Sequence, residues 1–114
     1  MNQKNVIVEK VLVFGVEIVK YCELLDENRK YVVAKQLLKS GTSIGANVFE
    51  AQHPESNADF IHKMKLAMKE ASETLYWLQV IEKSGNYIVN SSLKGMVEEL
   101  MRILSRIIIT AKGK

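Results

Sequence analysis

KSGTSIGANVFEAQHPESNADFIHKMKLAMKEASETLYWL, Lys39 to Leu78, joins a segment rich in glycine and serine to a regular heptad helix, and its two halves decide the fold between them. In the second half Phe60, Met64, Ala67, Ala71, Thr74 and Leu78, continued by Ile81, recur at spacings of four and three. That period keeps one apolar stripe along a helix over about three heptads. Ser56 followed by Asp59 resembles a capping box with Asp where Glu is usual. Pro54 ends the helix before it and holds the preceding residue extended.

In the first half Leu37, Ile44, Val48 and Ala51 carry an apolar stripe into which Gly41 and Gly45 intrude. Each glycine inside a helix costs about 1 kcal/mol relative to alanine. Four residues apart, the two form a flat groove that lets a neighbouring helix approach and recover the loss in packing contacts. Beside them Ser40, Ser43, Asn47 and Glu50, spaced three, four and three, share one face. This polar row reads as an interhelical hydrogen-bond network that sets register, with a subunit interface or a ligand pocket as the alternatives. The glycines lie within a helix and follow no strand, so they form no phosphate loop.

Outward from this stretch the pattern continues in both directions. Ile7, Val11, Phe14, Ile18, Tyr21 and Leu25 repeat the four-three spacing, and Leu12, Val16 and Val19 are expected to widen that stripe. Leu93, Val97, Leu100, Leu104, Ile107 and Ala111 repeat it again, with Asn90 or Ser91 as the cap. The breaks are short: Asp26 to Asn28, His53 to Glu55, and Ser84 to Asn90, where Gly85 suits the left-handed position that ends a helix. Short links between long helices favour antiparallel neighbours. The expectation is an all-α, antiparallel, up-down-up-down four-helix bundle in one domain over residues 1–114, with helices near 4–25, 29–52, 56–83 and 91–112.

At 114 residues and 47% hydrophobic content the chain can bury a core without a disulfide or metal. Cys22 is the single cysteine, and its place in an apolar stripe reads as a buried thiol in a reducing compartment. The start, MNQKNVIVEK, is polar and places Glu9 and Lys10 where a signal peptide needs an apolar core. No apolar run approaches the roughly 20 residues that cross a bilayer. A cytoplasmic protein without membrane association is expected.

Net charge is +3 and the isoelectric point about 9.0, which permits attraction to nucleic acid without requiring it. The positive excess is concentrated. Arg29, Lys30, Lys35 and Lys39 stand against Glu50 in the second helix, and Lys94, Arg102 and Arg106, with two terminal lysines, against Glu98 and Glu99 in the fourth. Lys35 with Lys39, and Arg102 with Arg106, stand four apart and project together. Aromatic residues interleaved with these bases are scarce, so phosphate contact with little base readout is the expected mode; the plainer reading is a solvated basic face.

Chemistry is thin elsewhere. Glu50 with His53, and Asp59 with His62, match the acid-x-x-His spacing of dimetal bundles. One pair uses Asp, His53 abuts the helix break, and Asp59 and His62 flank the core positions, so no metal site is assigned. Ser40 and Ser43 lack a recognisable His and Asp partner, and no Gly-x-Ser-x-Gly elbow is present. Neither catalysis nor a cofactor is expected.

KSGTSIGANVFEAQ, then SNADFIHKMKLAMKEASETLYWL, then SGNY, resemble the bacterial four-helix-bundle family that includes proteins encoded in intervening sequences within 23S ribosomal RNA genes. The resemblance spans about residues 5–112. Relatives include the accessory protein of diversity-generating retroelements. It implies an antiparallel bundle assembled as a cyclic homopentamer, with RNA or DNA as partner. A protein-interaction scaffold that recruits another protein, such as a reverse transcriptase, is the alternative, and a metal-binding bundle a more distant one.

Overall fold

The computed structural model describes residues 3–114. Four helices account for nearly all of it: α1 (Gln3–Glu27), α2 (Tyr31–Glu50), α3 (Asn57–Ser84) and α4 (Ser92–Lys112). Helix α1 packs on α2 and α4, and α3 packs on the same two, while the diagonals α1/α3 and α2/α4 do not meet. Sequential helices therefore occupy adjacent corners of a square and run up, down, up, down. The bundle measures 47 × 22 × 20 Å.

Every residue of the four-three repeats in α1, α3 and α4 is buried, and all four helices share one core. In α2 Ala34, Leu37, Ile44 and Val48 are buried, with Ala51 just beyond the helix. Leu12, Val16 and Val19 depart from the expectation. They are 59%, 46% and 41% exposed and do not widen the buried stripe. A helix at the corner of a square has only two neighbours, so a second apolar stripe on its outer flank finds no partner inside the bundle.

The helix ends follow capping chemistry. Ser56 Oγ accepts from Asp59 N at 3.0 Å, and Asp59 Oδ2 accepts from Glu55 N at 3.1 Å, so the expected box closes one residue upstream of its usual return. Gly85 takes φ 78° after α3. Asn90 caps α4, its Oδ1 accepting from Ser92 N at 3.1 Å.

The first turn differs from expectation. Helix α1 runs two residues beyond Leu25, and α2 begins at Tyr31. Arg29 and Lys30 thus lie in the connection, where Arg29 adopts φ 63°. Arg29 N donates to Asp26 O at 3.0 Å and Lys30 N to Leu25 O at 2.9 Å, the paired bonds that satisfy the last carbonyls of a helix. Arg29 occupies the left-handed site that glycine usually fills, at a cost of roughly 1–2 kcal/mol. At the same end of the bundle Tyr21 Oη donates to the Ile88 carbonyl at 2.6 Å and ties the α3–α4 loop to α1. Burial pushes the Tyr21 hydroxyl up, and it pushes the neighbouring Cys22 thiol up to about 12. The thiol is therefore protonated at neutral pH and a poor nucleophile.

No helix among the described residues is long and apolar enough to cross a membrane.

Candidate nucleic-acid interface

The basic residues singled out above fall on two separated edges. Lys35 and Lys39 are exposed on α2, and Arg102 and Arg106 are exposed on α4. Since α2 and α4 are diagonal, no single face of one bundle presents both sets. Lys94 lies half-buried near the start of α4. At the α1–α2 turn Lys30 sits with its Nζ 4.7 Å from the centre of the Tyr87 ring, a cation–π contact that fixes it against the α3–α4 loop. Arg29 beside it is exposed.

Arg102 and Arg106 border a depression of about 330 Å³ between α1 and α4, shared with Lys10 and Glu99. Lys10 belongs to this edge although it lies on α1, far along the chain from the arginines of α4. Its charge is already answered, with Nζ 3.1 Å from Glu99 Oε1. Among the described residues the ion pairs are this one and Lys63–Glu50 at 2.8 Å. None of Arg29, Lys30, Lys35, Lys39, Lys94, Arg102 and Arg106 has an acidic partner. Two edges of uncompensated positive charge suit an extended polyanion more than a compact ligand.

The seam of α2 divides into two faces with different partners. Gly41 meets α1, where a Cβ would come within 2.9 Å of Ile18 Cγ2, so this glycine is required for the approach of the two helices. Gly45 meets Val11 more loosely, at 3.5 Å. The polar row faces α3 but only its ends cross to it. Ser40 is fully buried and accepts from Thr74 Oγ1 at 2.9 Å, while Glu50 pairs with Lys63. Ser43 Oγ donates to Lys39 O at 2.6 Å and Asn47 Nδ2 to Ser43 O at 2.9 Å, both within α2. The expected network is thus two separate cross-links, because side chains as short as Ser and Asn satisfy themselves on their own helix first.

The acid-x-x-His pairs are engaged otherwise: Glu50 holds Lys63, Asp59 caps α3, and both histidines are exposed. Among the described residues no three His, Cys, Asp or Glu side chains gather where they could hold a metal. Tyr76 and Trp77 stack edge to face at 5.2 Å on α3, with Tyr76 exposed and Trp77 half-buried.

The sequence model of the 23S rRNA-intervening sequence proteins matches residues 3–108, nearly the whole bundle. The chain belongs to the 23S rRNA-intervening sequence protein family. A crystal structure from Bacteroides thetaiotaomicron, described as a protein with unknown function from the S23 ribosomal protein family, is similar to it. The two are 42% identical, with a TM-score of 0.88 over 94% of this chain and 98% of that one. A comparison with curated proteins gives no match.

In this member of the 23S rRNA-intervening sequence protein family the Ser40–Thr74 bond is the buried polar link between α2 and α3. Thr74→Val removes the donor to Ser40 Oγ, whose own hydroxyl keeps the Leu37 carbonyl at 3.4 Å, and is expected to cost about 1 kcal/mol, with Thr74→Val combined with Ser40→Ala losing no more. Chemical denaturation of the two variants checks this. A double variant less stable than Thr74→Val alone would remove the hydrogen bond from the account of α2–α3 packing.

Proposed function

We propose that this chain is a non-enzymatic, homo-oligomeric bundle of the cytoplasm that binds RNA or DNA through its phosphates without reading sequence. The observation that carries this reading is the set of basic side chains on α2, on α4 and in the α1–α2 turn that lack acidic partners. Phosphate contacts from Lys and Arg position a nucleic acid without discriminating bases. Helix α4 carries no aromatic residue, Tyr31 is the exposed aromatic spaced to share a face with Lys35 on α2, and Tyr87, under Lys30, is already occupied, so nucleobase stacking has little to rest on. The family resemblance implies five copies in a ring. Repetition around a ring turns two modest edges per subunit into a large field, which reconciles the mild monomer charge of +3 with binding.

The test is the salt dependence of binding to a mixed-sequence RNA and a duplex DNA. Each neutralised phosphate contributes a slope of roughly 0.7–0.9 to the fall of log K with log salt. Neutralising Lys35, Lys39, Arg102 and Arg106 to Gln together is expected to weaken binding by roughly a hundredfold or more and to flatten that slope. Binding that is indifferent to salt, or a quadruple variant that binds like the parent, overturns the reading.

A further inference from the structure

The seam between α1 and α4 is the most sparsely joined of the four, and two depressions follow one another along it. The first, of about 240 Å³, is lined by Glu9 and Lys10 of α1 and Glu99 of α4 over apolar side chains that include Phe14. The second, of about 330 Å³, shares Val6, Lys10 and Glu99 with it and adds Arg102, Ile103 and Arg106. Helical spacing gathers this second lining. Glu99, Arg102 and Arg106 stand three and four apart on one flank of α4, and Val6 and Lys10 stand four apart on α1. Three cations against one carboxylate leave it a net charge of +2. Ile103 is buried and Val6 half-buried, so these charges stand against an apolar wall that screens them less than open water does. Lys10 is held there lightly. Its ion pair with Glu99 leaves the two side chains 40% and 46% exposed, and so open a pair yields readily to a more highly charged anion.

We infer that the depression at Arg102 and Arg106 seats a phosphate monoester at the end of a nucleic-acid strand. The inference rests on the nucleic-acid binding proposed above and gives that binding a preference for strand ends. Charge selects the monoester: it carries about −1.5 to −2 at neutral pH, whereas each phosphodiester within a strand carries a single negative charge. The monoester matches the +2 of the depression, and two guanidinium forks with one ammonium suit its three free oxygens. The surroundings select an end over a strand that runs through. On one side Glu9 and Glu99 line the neighbouring depression and would repel the next phosphate. On the other, α4 continues toward Lys112 and Lys114, and no acidic residue follows Arg106 in the chain. A strand that stops at the depression meets the favourable side alone.

Fluorescence anisotropy of the full chain with one mixed-sequence single-stranded RNA, ending in hydroxyls or carrying a 5′- or a 3′-phosphate, tests this. At least one phosphorylated strand is expected to bind roughly fivefold or more tighter than the hydroxyl-ended one, and the larger preference names the end. Arg102→Gln with Arg106→Gln should abolish the preference. Lys35→Gln with Lys39→Gln should weaken all three strands alike and preserve it. Glu99→Gln, which removes the opposing carboxylate, should enlarge it. All of these positions are at least partly exposed, and circular dichroism verifies that each variant keeps its helices. If the three strands bind the parent equally and with steep salt dependence, the end site is wrong although nucleic-acid binding stands. If none binds, that reading fails and the inference with it. A preference that survives Arg102→Gln with Arg106→Gln puts the monoester elsewhere and overturns the assignment. So does adenosine monophosphate binding as tightly as the phosphorylated strand, which would make the depression a free-nucleotide site.

Discussion

Replacing Gly41 by valine is expected to cost about 3 kcal/mol, because overpacking a filled interface forces the backbone apart. An added Cβ lies 2.9, 3.0 and 3.1 Å from Cγ2, Cγ1 and Cδ1 of Ile18. Rotating Ile18 about its first side-chain bond exchanges one branch for the other and relieves nothing. Ile18 is itself fully buried, so neither it nor α1 can withdraw without opening the core. Gly41→Ala gains the helix propensity of alanine, about 1 kcal/mol, and still loses on balance, because the clash begins at Cβ. Shortening Ile18 to Ala should partly rescue Gly41→Ala, so that the double variant loses less than the sum of the singles. Denaturant midpoints of the four proteins measure this coupling, and strict additivity would mean that Gly41 is not the contact that sets the α1–α2 distance.

The second large effect is at Phe14. Its ring is 1% exposed at the middle of α1, beside Met96 and Leu100 of α4. Phe14→Ala is expected to cost roughly 3–5 kcal/mol, the lost transfer energy plus the cavity left between helices held on both sides. Against a total stability of roughly 5–15 kcal/mol this is a large share. The melting temperature should fall by roughly 15 °C. Phe14→Leu refills most of the space and should lose less than half as much. A loss below about 1 kcal/mol for Phe14→Ala would show that α1 and α4 can close the gap, contrary to a densely packed interior. Such collapse would also draw Arg102 and Arg106 toward α1 and alter the basic edge, so the salt dependence of the proposed nucleic-acid binding, measured on this variant, bears on the candidate site as well.

These effects sit on residues whose roles were legible to different degrees. The four-three repeats in α1, α3 and α4 identified buried positions residue by residue, since helical period maps sequence onto one face. Gly41 was legible as a close-approach glycine, but its partner Ile18, on another helix, was not. The exposed flank of Leu12, Val16 and Val19 was misread as core, because an apolar stripe records what a helix buries without saying whether its cover belongs to the same chain. The basic residues were visible as charges. That α2 and α4 stand on opposite corners, and that Lys10 joins the α4 edge while paired to Glu99, required the assembled bundle.

The sequence by itself determined four amphipathic helices, their short connections, the core stripes and membership of a bundle family, because periodicity, caps and glycine spacing act over a few residues at a time. Only the tertiary structure decided which faces meet. It directed Gly41 to α1 and Ser40 to Thr74 of α3, moved Arg29 and Lys30 into a turn, separated the two basic edges and left the α1–α2 flank uncovered. The physical reason is that contact between distant parts of a chain is a property of how helices share a fixed interior volume. A corner helix has two neighbours, and whatever apolar surface it carries beyond them stays open.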